Sequence, residues 1–200
     1  MSVPLHYLRW AVGLDAAETQ TTAAERTCLA KHAAGRRAVV EIGVFEGVTT
    51  RVLRDVMADD GVLFAVDPLF TGRLGVSLHQ RIALGEVAKS RRGRVEWIRA
   101  TGREAARDPR VANRDVDFVF VDGDHTWDGI SNDWEAWSGK VAPGGIMAFH
   151  DSRETPGAGS QNFTEQVITR DPRFTVIDTE FRLTVIQRVT ARQATASAGT

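Results

Sequence analysis

The side chains best suited to chemistry lie in two short segments of the sequence. Asp122 and His125 belong to the run Val-Asp-Gly-Asp-His at 121–125, and Asp151 follows a second apolar stretch. If both aspartates end parallel strands of one sheet, their carboxylates meet at one edge and favour a hard cation such as Mg²⁺ or Mn²⁺. His125, with an ordinary pKa of about 6.5, is then placed to act as general base. The alternative for these residues is structural, as helix caps or turn residues.

A glycine-bearing segment, Glu-Ile-Gly-Val-Phe-Glu-Gly-Val-Thr-Thr at 41–50, predicts a ligand-binding turn between a strand and a helix. Gly43 and Gly47 let the backbone turn tightly and approach a ligand, and the helix start offers free amide groups. A dinucleotide-binding loop would carry glycine in place of Phe45 and of Val48, so the segment does not favour hydride transfer.

Acidic side chains around this turn indicate the kind of cofactor. Asp67 ends the next predicted strand, 20 residues beyond Gly47, where its carboxylate can accept hydrogen bonds from both ribose hydroxyls of an adenosine. Glu41 adds a carboxylate that suits an amino group and repels a phosphate. S-adenosylmethionine, an adenosine with an amino acid tail, satisfies both. The residues expected to bind it are Glu41, Gly43, Phe45, Gly47, Thr49, Asp67 and Asp122.

The elements that must position these residues alternate along the chain. Short apolar runs predict buried strands at 38–42, 62–66, 95–99, 116–121 and 145–149. Apolar residues at helical spacing follow Gly47 and the Asp122 loop. Two further runs, 174–179 and 183–188, are joined by three residues and predict a hairpin. The pattern predicts an α/β, Rossmann-like, doubly wound sheet of seven strands, mostly parallel with one antiparallel strand from the C-terminal hairpin.

The two ends of the chain fall outside this alternation. We expect the catalytic domain to cover 21–190 and to open with a helix over 21–34, capped at Thr21 or Thr22, with Glu25 placed for a capping box. Residues 1–20 hold an apolar cluster that packs on its own domain, covers the site as a lid, or contacts a second subunit. Residues 191–200 are rich in small and polar residues and predict a flexible tail.

Composition excludes several classes of partner. The 200 residues carry 25 Lys and Arg against 26 Asp and Glu, a net charge of -1, so no overall field attracts nucleic acid or an anionic membrane. Cys28 is the single cysteine, which excludes an internal disulfide, and no apolar run is long enough to span a membrane. We therefore expect a cytoplasmic protein without a nucleic-acid or membrane partner.

The order of these motifs resembles that of a known family. The Glu-x-Gly-x-x-x-Gly turn, Asp67, the run at 121–125, Pro-Gly-Gly at 143–145 and His150-Asp151 look like the motifs of class I methyltransferases. More narrowly, the chain resembles the small bacterial metal-dependent O-methyltransferases, which include enzymes acting on sugars of antibiotics and polysaccharides. It is more distantly similar to catechol O-methyltransferase. The resemblance covers roughly residues 21–189.

The resemblance implies a particular reaction. A hydroxyl held beside the metal gives its proton to His125 and attacks the methyl group of S-adenosylmethionine, which yields a methyl ether. It further implies that His150, directly before Asp151, is the third protein ligand of the metal, and that Thr101 contacts adenine. The implied acceptor is a small-molecule hydroxyl, in first place that of a saccharide, and the implied assembly is a homodimer.

Three alternatives remain open. A catechol or another phenol could replace the sugar as acceptor. A metal-dependent hydrolase could use the same carboxylates and His125 on water, although Glu41 and Asp67 then have no role. A regulatory module could keep the cofactor pocket without chemistry, although the joint presence of Asp122, His125 and Asp151 speaks against it.

Overall fold

The apolar runs of the sequence form the strands of one mixed sheet. The computed structural model describes residues 2–68 and 76–190. Its strands are β1 (Ala38–Ile42), β2 (Val62–Val66), β3 (Arg94–Ile98), β4 (Val116–Val121), β5 (Val141–Phe149), β6 (Phe174–Glu180) and β7 (Leu183–Arg188). The sheet order is β3-β2-β1-β4-β5-β7-β6, and β7 runs antiparallel to both of its neighbours. The predicted seven-stranded sheet with one antiparallel strand is confirmed.

Helices cover both faces of this sheet. They are α1 (Val3–Ala11), α2 (Ala23–Ala33), α3 (Val48–Val56), α4 (Leu78–Val87), α5 (Gly102–Ala105), α6 (Trp127–Trp137) and α7 (Gly159–Gln166), followed by a 3-10 turn at Ile168–Arg170. Alternate residues of each central strand enter opposite cores, so that Val119 and Val121 of β4 lie in one and Phe118 and Phe120 in the other. No helix within the described ranges has the length and apolarity needed to cross a bilayer.

Three strands differ from their predicted bounds, and β6 does so only by ending at Glu180 instead of 179. β3 begins and ends one residue earlier than predicted. β5 begins at Val141 instead of 145, because Val141 pairs with Val116 across a register shift in the β4–β5 ladder. The Pro-Gly-Gly stretch is therefore a distortion inside a strand, although its residue types are typical of a turn.

The predicted first helix is confirmed, with narrower bounds. Thr22 is its N-cap: the Thr22 side chain accepts a hydrogen bond from the Glu25 amide, and the Glu25 side chain accepts one from the Thr22 amide. Before it, α1 packs on α4, with the Trp10 ring against Gly85. The predicted tail at 191–200 lies outside the described residues.

The chain direction reverses between β1 and β4, where the site residues converge. From β1 the chain moves outward to β2 and β3, then returns to β4 on the opposite side of β1. Ile42 and Val121 are register partners, so the turns that follow β1 and β4 leave the sheet side by side. In doubly wound sheets this switch point forms the crevice that binds ligands.

Candidate active site

A cavity of about 730 Å³ opens at the carboxyl ends of the parallel strands. This volume lies within the range of small-molecule sites. Glu41 and Gly47 are not among the described lining residues. The predicted cofactor-binding residues that line it are Gly43, Phe45, Thr49, Asp67, Thr101 and Asp122.

Asp67 stabilises the turn at 43–47 and also lines the cavity. Its Oδ2 accepts hydrogen bonds from the backbone amides of Val44, at 2.9 Å, and Phe45, at 3.2 Å. Phe45 has a φ of 50°, a left-handed conformation that is unfavourable for an aromatic residue. The Asp67 carboxylate compensates for this strain, and the Phe45 ring packs against His79 with ring centroids 5.1 Å apart.

Glu41 is buried away from the cavity. Its side chain is fully inaccessible to solvent, and neither carboxylate oxygen finds a hydrogen-bond partner among the described residues. Burial raises the pKa of Glu41 well above its usual value, and the nearby carboxylates of Asp122 and Asp67 raise it further. Burial therefore favours the neutral form of this side chain, and a direct charge pair with a cofactor amino group is not what this geometry offers.

The predicted metal ligands and the predicted base form one cluster beside the cavity. Asp122 Oδ1 lies 2.8 Å from His150 Nδ1 and 3.8 Å from His125 Nε2. Asp151 Oδ2 lies 3.7 Å from His125 Nε2 and 3.8 Å from His150 Nδ1. Asp122, His125 and His150 each offer one ligand atom, and the three atoms lie within 4.8 Å of one another.

The donor atoms of this cluster fit a divalent cation. Two ligands at about 2.1 Å on adjacent corners of an octahedron lie about 3 Å apart, close to the separation between Asp122 Oδ1 and His150 Nδ1. Both atoms are buried, and neither makes a hydrogen bond of normal geometry within the described chain. This spacing would allow His150 and Asp122 to bind one cation together.

Glu25 lies next to Nε2 of His150, and the sequence does not predict it as a site residue. Its Oε1 lies 3.6 Å from His150 Nε2 and accepts a hydrogen bond from the Arg182 amide, while Oε2 accepts one from the Thr22 amide. Metal-binding histidines commonly direct their second nitrogen at a carboxylate, which fixes the ring. The sequence shows only the capping-box role of Glu25, because the contact with His150 spans 125 residues of chain (150 minus 25).

Asp151 is shared between this cluster and a cationic side chain. Its Oδ1 lies 3.3 Å from Arg182 Nη1, and its φ of 48° is left-handed. The Arg182 guanidinium already neutralises part of the negative charge of Asp151. The three ligand atoms that lie within 4.8 Å of one another include one from His125 and none from Asp151. The sequence predicts the opposite roles, with Asp151 as a ligand and His125 as the base.

The lining of the cavity also contains an aspartate that the sequence does not indicate. Thr101 caps α5, and its hydroxyl is engaged with Glu104. Asp133 of α6 lines the cavity nearby and is 6% exposed. Burial raises the pKa of Asp133 to about 7, and Asp124 adds to the effect. A lone aspartate within a helix gives no sequence signal for such a position.

The N-terminal segment borders the same cavity. Glu18, Thr19 and Gln20 are lining residues. Glu46, inside the cofactor loop and fully buried, lies 3.0 Å from His6 Nε2 and 2.8 Å from His79 Nδ1. It also accepts a hydrogen bond from the Glu18 amide. The segment is thus fastened to the loop that we expect to bind the cofactor.

Comparisons with solved structures agree with the observed fold. A Corynebacterium glutamicum protein aligns with 94% of this chain and 89% of its own at 18% identity, with a TM-score of 0.65. An O-methyltransferase from Bacillus cereus in complex with SAH aligns over 95% and 91% at 18% identity, with a TM-score of 0.63. TomG is an O-methyltransferase from Streptomyces achromogenes involved in tomaymycin synthesis, and its structure was solved with SAM. It aligns with 95% of this chain and 91% of its own at 18% identity, with a TM-score of 0.65.

Sequence comparison identifies the family. No curated protein matches the chain significantly. Residues 40–152, more than half of the chain, match the family described as methyltransferase domain. This segment runs from β1 through the glycine turn, Asp67 and Asp122 to the residue after Asp151, so it contains the strand ends that build the cavity. The prediction of a class I methyltransferase is confirmed, and the chain belongs to the methyltransferase domain family.

Proposed function

We propose that the protein is an S-adenosylmethionine-dependent O-methyltransferase that acts on a small-molecule hydroxyl with the assistance of a divalent cation. The observation that carries this proposal is the double position of Asp122, which lines the cavity and belongs to the cluster of Asp122, His125, His150 and Asp151. A cofactor in the cavity and a cation in the cluster would share this residue.

The cofactor part of the proposal assigns a task to each lining residue. Asp67 would accept hydrogen bonds from the ribose hydroxyls, and the turn around Gly43 offers a close backbone approach. Thr49, in the first turn of α3, has a helix-terminal amide for the amino acid end, while its hydroxyl lies 3.2 Å from the Thr21 hydroxyl. S-adenosylmethionine itself supplies a methyl group that its sulfonium already activates.

The cation part assigns Asp122, His150 and Asp151 as ligands. When bound, Mg²⁺ or Mn²⁺ would lower the pKa of an acceptor hydroxyl and hold it in place. Mn²⁺ suits this site better than Mg²⁺ does, because the imidazole of His150 is a softer donor than a carboxylate. Glu25 would keep the His150 ring oriented towards the cation.

His125 is the proposed general base. Its Nε2 lies between two carboxylate oxygens, 3.8 Å from Asp122 and 3.7 Å from Asp151, and both would stabilise the imidazolium after proton uptake. Its backbone carbonyl accepts a hydrogen bond from the Ser160 amide, which ties His125 to the start of α7. The ring is about one third exposed, so the proton can pass on to solvent.

A saccharide is the proposed acceptor. Polar residues border the cavity, including Glu18, Thr19, Gln20 and Asp124, whereas Phe45 is the sole Phe, Tyr or Trp among the described lining residues. Trp127 packs edge-on against Phe163 and is not in that lining. These polar groups offer hydrogen-bond partners to a polyhydroxylated acceptor, and the family match disfavours the hydrolase.

Transfer of labelled methyl from S-adenosylmethionine tests this proposal. We expect products with saccharide acceptors in the presence of Mn²⁺ or Mg²⁺ and none with a chelator. Phenolic acceptors serve as the comparison, and their exclusive methylation would move the acceptor class to phenols. Absence of transfer to any hydroxyl, together with absence of S-adenosylhomocysteine (SAH) binding, would contradict the assignment itself.

The role of His125 needs a separate measurement, because the geometry brings it close enough to be a ligand. We expect His125→Gln to keep the Mn²⁺ affinity within about threefold and to lower kcat by roughly 10²- to 10⁴-fold. Asp122→Asn should weaken Mn²⁺ binding itself by roughly 10-fold or more. Asp128→Asn, at an exposed position in the first turn of α6, is the matched control. Equal loss of Mn²⁺ affinity in His125→Gln and Asp122→Asn would make His125 a ligand instead.

The assembly and the cellular location remain predictions of the sequence. The outward face of α1 leaves Leu5, Leu8 and Val12 between 49% and 70% exposed, which supports the expected homodimer. Sedimentation at increasing protein concentration tests it, with Leu8→Glu as the variant that should shift the equilibrium to the monomer. The expected cytoplasmic location can be tested by fractionation.

A further inference from the structure

One end of the cavity is built by the start of α5 and by α6. Thr101, Gly102 and Arg103 contribute from α5, and Asn132 and Asp133 contribute from α6. β3 lies beside β2 on the side away from β1. Asp67, at the end of β2, is the proposed ribose site, and its amide donates a 3.1 Å hydrogen bond to the Ile98 carbonyl at the end of β3. The base of a bound adenosine would therefore lie within reach of the start of α5.

The Asp133 carboxylate is enclosed at this end of the cavity. A Cβ on Gly102 would lie 2.2 Å from Asp133 Oδ1, and one on Gly123 would lie 3.7 Å from Oδ2. The carboxylate is thus held between the turns that follow β3 and β4. The residue is 6% exposed, and its side chain makes no hydrogen bond or ion pair with any described part of the chain.

An enclosed carboxyl group without a partner is unfavourable in a folded protein. Burial without a compensating hydrogen bond costs free energy, so such groups commonly mark a position where a ligand supplies the partner. The charged neighbours do not compensate, because Asp124 carries the same sign and the Arg103 side chain is engaged with Asn132. Near neutral pH the raised pKa of about 7 leaves both forms of the carboxyl populated.

The chemistry of this group matches the edge of an adenine base. Adenine presents a 6-amino donor next to a ring-nitrogen acceptor. A neutral carboxyl group presents the reverse pair, one acceptor oxygen and one hydroxyl donor. Thr101 does not compete for the base, since its hydroxyl is engaged with Glu104.

We propose that Asp133 recognises the adenine of the cofactor, accepting a hydrogen bond from the 6-amino group and donating one to the adjacent ring nitrogen. This inference rests on the proposed function, because it requires an adenosine in the cavity. Asp133 is then the residue that selects the base, whereas Asp67 binds the sugar and Asp122 lies at the reacting end.

Calorimetric titration with SAH tests this role. Asp133→Leu has nearly the same shape but lacks donors and acceptors, and we expect it to weaken SAH binding by roughly 10- to 100-fold. Asp133→Asn retains one donor and one acceptor and should bind SAH within about threefold of the wild type. Asp128→Asn, on the same helix and outside the described lining, is the matched control.

A second ligand separates recognition of the base from a general effect on the cavity. The probe is the SAH analogue whose base is unsubstituted purine and lacks the 6-amino group. We expect the wild type to bind it more weakly than SAH, whereas Asp133→Leu should bind the two about equally, because the partner of the amino group is already gone. If the Asp133→Leu substitution and the loss of the 6-amino group each weaken binding independently, with additive changes in binding free energy, the proposal is overturned.

The stability of the ligand-free protein distinguishes a binding role from a structural one. Removal of an unpaired buried carboxyl should leave the Tm of Asp133→Leu equal to or above that of the wild type. A fall in Tm together with SAH affinity, or unchanged SAH affinity in Asp133→Leu, overturns the role of Asp133 while the proposed function stands. If the wild type binds no SAH, the cofactor assignment fails, and the role of Asp133 fails with it.

Discussion

Gly43 lies against the backbone of Asp122, which joins the turn after β1 to the turn after β4. A Cβ on Gly43 would lie 2.0 Å from the Asp122 carbonyl oxygen and 2.6 Å from its carbonyl carbon. The Asp122 amide donates a hydrogen bond of 2.8 Å to the Ile42 carbonyl, directly before Gly43. The turns after β1 and β4 are therefore held in contact, and the glycine is required by this contact as well as by its φ of 90°.

Gly43→Ala should both destabilise the protein and prevent cofactor binding. The left-handed backbone costs about 1–2 kcal/mol for alanine, and the clash with Asp122 costs about 1–3 kcal/mol more. Urea unfolding measures the sum, and SAH titration measures the binding loss. Gly139→Ala is the control, since a Cβ there meets no atom within 4 Å and φ is not positive. Similar unfolding midpoints for the two variants would contradict the contact.

Variants of Asp67 should separate loop support from cofactor binding. An amide oxygen in Asp67→Asn can still accept the Val44 and Phe45 amides, so we expect stability within about 1 kcal/mol of the wild type and SAH binding weakened roughly 10-fold or more. Asp67→Ala loses both roles and should also lose about 1–3 kcal/mol of stability. Thermal unfolding and SAH titration are the measurements, with Asp59→Ala on the exposed Asp59–Arg92 pair as control. Equal Tm values for Asp67→Ala and Asp59→Ala would remove the loop role.

Cys28 should be inert towards thiol reagents in the folded protein. Burial raises the pKa of its thiol to about 11, and the charge of Asp178 contributes. At about pH 8 only about one thiol in a thousand is then ionised, and the thiolate is the reactive form. We expect iodoacetamide to label Cys28 slowly in buffer and rapidly in urea, as measured by mass spectrometry. Equal rates in the two conditions would show that Cys28 is accessible.

The sheet could be predicted because its strands are encoded locally. The apolar runs that form the strands, and the capping box of Thr22 and Glu25, are patterns among residues close together in the sequence. They can therefore be recognised without knowing the tertiary structure. The long start of β5 was missed because Val141 joins the sheet through Val116, a partner distant in sequence. Turn-type residues such as Pro143 and Gly144 also mask a distorted strand.

The site could be predicted only in part, for a related reason. Residues at strand ends, such as Asp67 and Asp122, are placed by topology alone, so their convergence follows from the order of elements. Glu25, Asp133 and Glu46 act through contacts between elements that lie far apart in the chain. Their residue types are common in helices and loops, and burial, which makes them notable, is a property of the tertiary structure.

The attachment of α1 to the cofactor loop should depend on pH. Hydrogen bonding to Glu46 raises the pKa of His6. Burial lowers this pKa, and the negative charges of Glu46 and Glu18 raise it further. A raised folded-state pKa means that the charged pair stabilises the attachment fully below the ordinary value of about 6.5 and loses this contribution as pH rises through the raised pKa. We therefore expect the amides of Val3–Ala11 to be better protected from hydrogen exchange at about pH 6 than at about pH 9, after correction for intrinsic rates.

Glu46→Gln should abolish the difference, because the fully buried charge that holds both His6 and His79 is gone. His32→Gln, which removes a histidine paired with Asp178 on β6, should keep it, and a pH difference that persists unchanged in Glu46→Gln would place the switch elsewhere.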